Sequence, residues 1–520
     1  MIKKIKPDLL FILVILVTAG ILNCQLLDNS NINFALAGHD EYLTVREVYS
    51  ILNPLSIKHF FMAIISGDVL YYGRIMFYTD AIFAWLPFKL FGITGMVYSI
   101  RMLHSLMVIA AILILSRTFL KDWKYRLIFY LATLTLYYSA YFFMVPKPEP
   151  MQLLILALFF YFFKTNQYQF GKFFLLLGIA YGIKFNILTL LPIIFIIPFL
   201  FQSDIKKPLN KLGFSIFYFF IGLIIAVPCL LLSPVKPIFL RSYINATFAN
   251  TSNYDDDKTV GMIDWLGDGF FGAYNGGWIF GVLLVILILV ILFYSSKVWL
   301  RDQPIPADLL FIICGLLLIL PVIIFTGRLW PHYLWTGYIF LMLGIVIFVQ
   351  SERGPKAMRT FGFSAMIILI GGSVYCSINQ EKKLISFEAN TRKLNMNGQR
   401  AYAYLKNKYK IFIAIQELSV PYPFNNMLEV GRYNPFTSFN QPKVAQQFIW
   451  TGFINPQIIN DNKADFIIIN SLNFSDTTIN LQTNKDEITI ANNRLMNEIL
   501  GRKLNIDTIF GSIKIYKLEK

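Results

Sequence analysis

The chain has 520 residues, of which 56% are hydrophobic and 16% aromatic, and its formal net charge is +16. Repeated apolar runs of about 20 residues exclude a soluble globular protein and indicate transmembrane helices. The positive charge alone would suggest nucleic-acid binding, but the lysines and arginines lie mainly in short connectors between apolar runs, where they set membrane topology, so nucleic-acid binding is the weaker interpretation. A disulfide framework or zinc site is also disfavoured. The cysteines lie in or at the ends of apolar segments, at Cys24, Cys229, Cys314 and Cys376.

The N-terminus combines a lysine-rich start with an apolar run from Leu9 to Leu27. Signal peptides and signal anchors share this pattern, but no small-x-small cleavage site follows the run. We therefore predict an uncleaved anchor helix with its N-terminus in the cytoplasm. The chain then emerges on the outer side of the membrane after residue 27.

Apolar runs and basic connectors together predict about eleven transmembrane spans. The connectors that carry most of the lysines and arginines then all fall on the cytoplasmic side, as the positive-inside bias requires. The predicted spans are 8–27, 95–116, 127–145, 150–163, 172–186, 187–201, 212–232, 277–295, 308–326, 332–350 and 359–377.

Residues 75–90 are apolar enough to resemble a further span. Counting them would place every later basic connector outside, against the positive-inside bias. The run is also interrupted by Asp80, Pro87 and Lys89. Residues 43–92 are therefore predicted to form amphipathic helices that lie in the outer interface or dip into it, within an outer loop over 28–94.

The composition changes abruptly after residue 378, which predicts a transmembrane domain (1–378) and an extracytoplasmic domain (379–520). The second domain lacks a Gly-rich phosphate loop after a strand, which argues against nucleotide binding. The predicted fold class is an α-helical polytopic membrane protein with outer interfacial helices and a small C-terminal soluble α/β domain. Elements predicted in that domain are a polar helix over 381–408 and strands over 411–415, 466–469 and 512–516.

Charged residues of the apolar part collect on the outer side of this topology. A charge at membrane depth costs about 2.5–3.5 kcal/mol, so each is a candidate functional residue, although each also has a plain structural interpretation as a solvated or snorkelling side chain. Acids in this set could deprotonate an acceptor, and cations could hold a departing phosphate. A lipid-linked phosphosugar fits a membrane-facing cavity of that kind. The set is His39, Asp40, Glu41, Arg46, Arg74, Lys147, Glu149, Lys184, Arg328 and His332.

Short motifs between the predicted spans follow one another in a set order: Asp40-Glu41, Leu70-Tyr71-Tyr72, Lys147-Pro148-Glu149-Pro150, Gly178 to Lys184, and Arg328 to Tyr333. This order resembles the GT-C membrane glycosyltransferases that use polyprenyl-phosphate sugars, including protein O-mannosyltransferases and the bacterial lipid A aminoarabinose transferase. The resemblance covers roughly residues 8–350, and many members carry an outer C-terminal domain. One motif departs from the family, because Tyr72-Gly73-Arg74 stands where a Pro-Pro pair usually follows a His or Lys.

The resemblance implies an inverting glycosyltransferase on the outer face of the bacterial cytoplasmic membrane, with a polyprenyl-phosphate sugar donor and a lipid, glycan or protein acceptor. By resemblance Asp40 is the expected catalytic base, with Glu41 beside it and Glu149 as a second acid. Some members depend on a metal, so a divalent ion is a candidate cofactor, with His39, Asp40 and His332 as candidate ligands. The donor phosphate is expected to bind Arg74, Lys147, Lys184, Arg328 and His332.

Two alternatives stay open at this point. A lipid-linked glycan flippase or other secondary transporter would show internal repeats and polar breaks at the bilayer midplane, and the sequence shows no repeat and places its polar residues at one face. A polysaccharide polymerase also acts on outer-face lipid-linked sugars, but it gives no reason for the early Asp40-Glu41 pair.

Overall fold

The structure is a computed structural model and is mostly helical. It describes residues 7–24, 39–54, 57–65, 72–165, 170–190, 208–231, 262–302, 305–325, 331–351, 355–406, 412–415, 427–429, 448–451, 466–470, 504–511 and 513–518.

The helices have the following bounds in chain order: α1 Pro7–Cys24, α2 His39–Leu52, α3 Ile57–Ile65, α4 Arg74–Phe119, α5 Trp123–Leu134, α6 Ser139–Met144, α7 Pro148–Thr165, α8 Phe170–Ile183, α9 Pro208–Ala226, α10 Trp278–Asp302, α11 Ala307–Phe325, α12 Trp335–Gln350 and α13 Lys356–Lys406. Shorter segments are the 3-10 turns Phe185–Leu190, Pro228–Leu231 and Pro331–Leu334, and the turn Met262–Asp264, which continues as a π-helix over Trp265–Tyr274.

Within the described residues, 5 helices are long and apolar enough to cross a membrane. Each overlaps a predicted span, whereas the predicted total of eleven stays a prediction. They are Arg74–Phe119, Trp278–Arg301, Ala307–Ile324, His332–Gln350 and Lys356–Asn379, and shorter apolar helices cover Pro7–Ile21, Lys172–Ile183 and Leu212–Ala226.

The predicted span 127–145 is wrong as a single helix. It breaks at Tyr138, whose φ of 70° places a non-glycine residue in the left-handed region. Such a conformation is costly unless the surroundings impose it. Here Ser139 fixes the break, because its hydroxyl donates to the Thr133 carbonyl (2.6 Å) and accepts from the Trp335 indole (3.0 Å). The predicted span 187–201 also differs, since it begins in the 3-10 turn Phe185–Leu190 and its remainder lies outside the described residues.

Helix α4 folds back on itself at Gly92, where φ is 64° and ψ is −149°. Asp80 and His104 are 24 residues apart, yet their Oδ1 and Nε2 atoms are 3.0 Å apart. In a straight helix that separation would be about 36 Å. Residues 74–91 and 93–119 are therefore two limbs of a helical hairpin. The first limb contains the run 75–90, and the absence of a separate crossing there stays a prediction.

Charged connectors sort to two opposite ends of the helix bundle. At one end, named the Asp8 end, Asp8 pairs with Arg117 (2.9 Å) and Arg126 (3.2 Å). Gln350, the last residue of α12, accepts a hydrogen bond from the Lys121 amide (2.8 Å) at this same end. The opposite end, named the Glu149 end, holds the start of α7, the end of α8 and the turn before α12. Arg117, Lys121 and Arg126 therefore lie at the same end as the end of α12, as predicted for their connector, and the placement of the other basic connectors stays a prediction.

Helices α8 and α9 pack closely against each other. A Cβ added to Gly178 would lie 1.9 Å from the Phe219 carbonyl oxygen, and one added to Gly222 would lie 2.0 Å from that of Leu175. These backbones can touch because small residues face each other, as in many membrane helix pairs. The contact fixes where α8 ends, and hence where Lys184 lies.

The C-terminal region contains a six-stranded sheet in the order β2-β3-β1-β4-β6-β5. Strands β1, β2, β3 and β4 pair in parallel, while β6 runs antiparallel to β4 and β5. The predicted strands 411–415, 466–469 and 512–516 are confirmed as β1, β4 and β6, and a separate α/β domain stays a prediction. Strand bounds are β1 Phe412–Ile415, β2 Met427–Glu429, β3 Phe448–Thr451, β4 Phe466–Asn470, β5 Leu504–Phe510 and β6 Ile513–Leu518.

The last predicted span and the polar helix after it join into one continuous helix, α13, of 51 residues. No break separates the apolar half from the polar half. The sheet also contacts the rest of the molecule through Ile515, which is fully buried in the same cluster of apolar side chains as Val45 and Val48 of α2.

Candidate functional site

Glu149 is the centre of the predicted site residues that the structure brings together. It lies in the first turn of α7, which begins at Pro148, a position that tolerates proline because the first helical N–H groups have no partner within the helix. Its side chain is 1% exposed, and Oε1 accepts from the Lys184 ammonium. This ion pair joins the start of α7 to the residue that follows α8.

Gln152 lies one turn after Glu149 and was missed in the sequence. Its Nε2 donates to the Ala180 carbonyl (3.0 Å) and the Lys184 carbonyl (2.6 Å), and the residue is fully buried. These are carbonyls at the end of α8, where partners within the helix run out. The three-residue spacing from Glu149 on a predicted helix was the signal that could have identified it.

Aromatic rings connect the two lysines with His332. The Lys184 ammonium lies 4.6 Å from the centre of the Tyr333 ring, which itself lies 4.5 Å from the His332 ring. The Lys147 ammonium lies 5.4 Å from the centre of the Tyr141 ring, and that ring lies 6.5 Å from His332. Three of the five predicted phosphate-binding residues, Lys147, Lys184 and His332, therefore lie around one aromatic group.

The predicted catalytic acids lie in the first turn of α2. That helix begins at His39, and the side chains of His39, Asp40 and Glu41 lie outside the described part of the chain. One turn further on, the Thr44 hydroxyl donates to the Pro146 carbonyl at 3.4 Å. Because Pro146 directly precedes Lys147, the N-terminal turn of α2 begins next to the Glu149 end.

Arg74 makes its described contacts with α2, α3 and its own helix. Its guanidinium pairs with Glu47 of α2 (2.5 Å), donates to the Ala63 carbonyl of α3, and lies 4.8 Å from the centre of the Phe77 ring. Both charged side chains are 2% exposed. The contacts hold α2, α3 and α4 together, so the structure ties Arg74 to the placement of α2 and not to the Lys147 and Lys184 group.

Gly73 explains the departure from the family pattern in Tyr72-Gly73-Arg74. Its amide donates to the Ile183 carbonyl (3.2 Å), and an added Cβ would lie 2.7 Å from the Gly182 carbonyl oxygen. Only a residue without a side chain allows this approach. The start of α4 is thereby held against the end of α8, directly before Lys184.

Arg328 lies outside the described residues, between the end of α11 and the turn Pro331–Leu334. The same applies to the side chains of two candidate metal ligands, His39 and Asp40. Among the side chains that the structure does describe, no three His, Cys, Asp or Glu residues are grouped as a metal site requires. The metal ion therefore stays a prediction.

A second buried polar pair, Asp80 with His104, was read in the sequence only as an interruption at Asp80. Both side chains are fully buried, and they join the two limbs of the α4 hairpin. Long-range pairs of this kind leave no local pattern in a sequence, because the partners are brought together only by the reversal at Gly92.

No family model and no curated protein sequence matches the chain. Solved structures that match the chain include two that align over 98% of this chain and 97% of theirs. They are ArnT from Cupriavidus metallidurans bound to undecaprenyl phosphate, with a TM-score of 0.53 and 9% identity, and the same protein in the apo state, with a TM-score of 0.54 and 10% identity. Likeness at this identity shows the fold. The resemblance to the GT-C proteins is thus confirmed as a shared fold.

Proposed function

We propose that the chain is an inverting membrane glycosyltransferase. It moves a sugar from a polyprenyl-phosphate donor to an acceptor hydroxyl on the outer face of the bacterial cytoplasmic membrane. One observation carries the proposal: Lys147, Glu149, Lys184 and His332 are grouped at one end of a fold whose ArnT representative binds undecaprenyl phosphate.

Lys147 and Lys184 are assigned to the donor phosphate. Lysine ammonium groups are phosphate binders, and the Lys147 side chain is 2% exposed, so its charge acts in a poorly solvated environment where electrostatic interactions are strong. Negative charge on the phosphate grows as the bond to the sugar breaks, and fixed cations stabilise that change. His332 and Arg328 complete the phosphate side. Arg74 acts indirectly, by holding α2 through Glu47.

Asp40 is assigned as the general base, with Glu41 beside it. The acceptor oxygen attacks the anomeric carbon while its proton passes to the Asp40 carboxylate. The bond between the anomeric carbon and the phosphate oxygen breaks, and its electron pair leaves with the polyprenyl phosphate. A single displacement of this kind inverts the configuration. Glu149 orients Lys184 during the reaction through their ion pair.

The test is release of polyprenyl phosphate by the purified protein in detergent, using a panel of polyprenyl-phosphate sugars and a total membrane extract as the acceptor source. Wild-type protein should release it from at least one donor, and Lys184→Met should be slower by about 100-fold because a cation at the leaving group is lost. Lys172→Met is the matched control, since Lys172 is exposed on the same helix α8 at its opposite end.

Equal release by Lys184→Met and wild-type protein would contradict the assignment of the phosphate site. Absence of release from every donor, together with absence of polyprenyl-phosphate binding, would contradict the function itself. Movement of the intact donor across proteoliposome membranes without release would indicate a transporter.

A further inference from the structure

Helix α7 buries two acceptor oxygens that have no hydrogen-bond donor among the described residues. They are Glu149 Oε2 and Gln152 Oε1. The two side chains are 1% and 0% exposed, so bulk water does not reach them. Buried polar atoms are almost always paired with protein, water or ligand, which makes two such atoms one helical turn apart a sign of a missing partner.

Both side chains are fixed by the same neighbour. Glu149 is held through Oε1 by the Lys184 ammonium, and Gln152 is held through Nε2 by the Lys184 and Ala180 carbonyls. The amide orientation follows from these contacts, because only the NH2 group can donate to two carbonyls. The remaining oxygens therefore belong to side chains that are both held by Lys184. They lie on the same face of α7, because residues three apart in a helix are neighbours on its surface.

The missing partner must be a hydrogen-bond donor, because both oxygens only accept. The charge of Glu149 is already neutralised by Lys184. A second cation at this place, such as an ammonium group or a metal ion, would therefore be repelled by Lys184 without a free negative charge to offset that repulsion. A neutral hydroxyl avoids that repulsion. Sugar hydroxyls have this chemistry, and the proposed donor carries them next to the phosphate that Lys184 binds.

We propose that Glu149 Oε2 and Gln152 Oε1 form a hydroxyl-binding pair that recognises ring hydroxyls of the donor sugar. The pair selects a neutral, polyhydroxylated sugar over an amino sugar. This assignment rests on the proposed glycosyltransferase function and defines its donor class. A sugar that lacks the recognised hydroxyl leaves the buried oxygen unpaired, which is the situation that produces strong discrimination in polar sites.

The experiment measures dissociation constants of the purified full chain in detergent. Its ligands are undecaprenyl phosphate, undecaprenyl-phosphate glucose, undecaprenyl-phosphate mannose, undecaprenyl-phosphate aminoarabinose, and monodeoxy analogues of the two hexose donors. For the tighter-binding hexose, removal of at least one ring hydroxyl should weaken binding to the wild-type protein about ten- to hundredfold. Both hexose donors should bind more tightly than the aminoarabinose donor.

Gln152→Met removes the acceptor oxygen at nearly constant volume. It should bind the parent hexose donor about as weakly as wild-type protein binds the sensitive deoxy analogue, and should no longer distinguish the two. If Gln152 only positions α8, the loss of affinity from Gln152→Met and the loss from the missing hydroxyl should instead be independent and add, so the variant would still distinguish the two ligands. The comparison of the parent hexose donor with its deoxy analogues on the wild-type protein needs no variant, so it decides the proposal also where Gln152→Met does not fold.

Equal affinity of the wild-type protein for every monodeoxy analogue and its parent would overturn the hydroxyl-binding pair. Tighter binding of the aminoarabinose donor would overturn the preference for neutral sugars. In both cases binding of undecaprenyl phosphate would leave the proposed function standing. Failure to bind undecaprenyl phosphate at all would remove that function, and the hydroxyl-binding pair with it.

Discussion

Asp8 and Glu149, at opposite ends of the helix bundle, are buried carboxylates that are held in different ways. At the Asp8 end both oxygens are used: Oδ1 accepts from Tyr130 (2.7 Å), and Oδ2 pairs with Arg117 (2.9 Å) and Arg126 (3.2 Å). At the Glu149 end one oxygen pairs with Lys184 and the other has no donor among the described residues. The difference distinguishes an anchor, which is complete within the protein, from a site that a ligand completes.

This distinction has an energetic basis. A buried charge is tolerated when its hydrogen-bonding capacity is filled, and removing one partner of such a set mainly lowers stability. An unfilled acceptor carries a desolvation cost in the free protein that ligand binding can recover. Changes at the Asp8 end should therefore act on folding, and changes at the Glu149 end should act on activity.

Asp40→Asn tests the active end of this comparison with the largest expected effect. Loss of a general base should lower the rate of polyprenyl-phosphate release by about 10²–10⁴, because the acceptor proton then has no carboxylate to receive it. The thermal midpoint in detergent and the affinity for donor should change little. Near-full turnover by Asp40→Asn would assign the base to another residue.

Asp8→Ala tests the anchoring end. The free energy of unfolding should fall by about 2–3 kcal/mol, since Tyr130 and the partly buried Arg126 both lose a charged partner. Arg117 adds little, because its side chain is 60% exposed. Activity per folded molecule should be unchanged, as measured by release assays normalised to folded protein. Asp122→Ala, at an exposed residue of the same end, is the control, and equal effects of the two changes would argue against the anchor.

Gly73→Ala tests whether the backbone contact between Gly73 and the end of α8 positions the residues of the Glu149 end. The new Cβ would lie 2.7 Å from the Gly182 carbonyl oxygen, so the start of α4 and the end of α8 must separate. We expect a loss of about 1–3 kcal/mol in stability, accompanied by slower turnover because Lys184 follows directly. Gly213→Ala, on α9 where nothing lies within 4 Å, should instead stabilise by about 0.5–1 kcal/mol. Similar results for both would indicate that the contact at Gly73 is unimportant.

Single cysteines at positions 60 and 122 sharpen the assignment of the two ends to membrane sides, with the smallest expected effect on activity. Charged, membrane-impermeant thiol reagents applied from outside should label position 60 and not position 122. The measurement is the extent of labelling in intact cells against permeabilised cells. Labelling of position 122 from outside would reverse the topology.

The sequence was most informative where a property is local. Apolar length located the five long apolar helices, and the basic connector from Arg117 to Arg126 lies at the same end as the end of α12, because both signals are written in consecutive residues. The hairpin in α4 was not predicted, since Asp80 and His104 meet only after the reversal at Gly92. The break at Tyr138 was missed for the same reason: it depends on an indole from the distant Trp335.

The candidate site shows the same division. Charged residues at membrane depth stand out in a sequence, so Lys147, Glu149 and Lys184 were selected as candidates, and the structure groups them at one end. Arg74 stood out equally, but its partner Glu47 lies on another helix, and no pattern within either segment reveals that pair. Gln152 was overlooked because a neutral amide in an apolar run carries no charge signal, although its two hydrogen bonds shape the site.

Because α13 is one unbroken helix, a tilt of its membrane-spanning part also moves the part that packs against the sheet. The part beyond residue 379, which ends at Lys406, measures about 40 Å at 1.5 Å per residue. A tilt of about 10° within the bilayer would move its far end by about 7 Å, because an unbroken helix bends little over this length. Strand β5 packs on this helix through the rings of Phe510 and Tyr404. Bilayer thickness influences helix tilt, so a change in thickness should shift the position of the sheet.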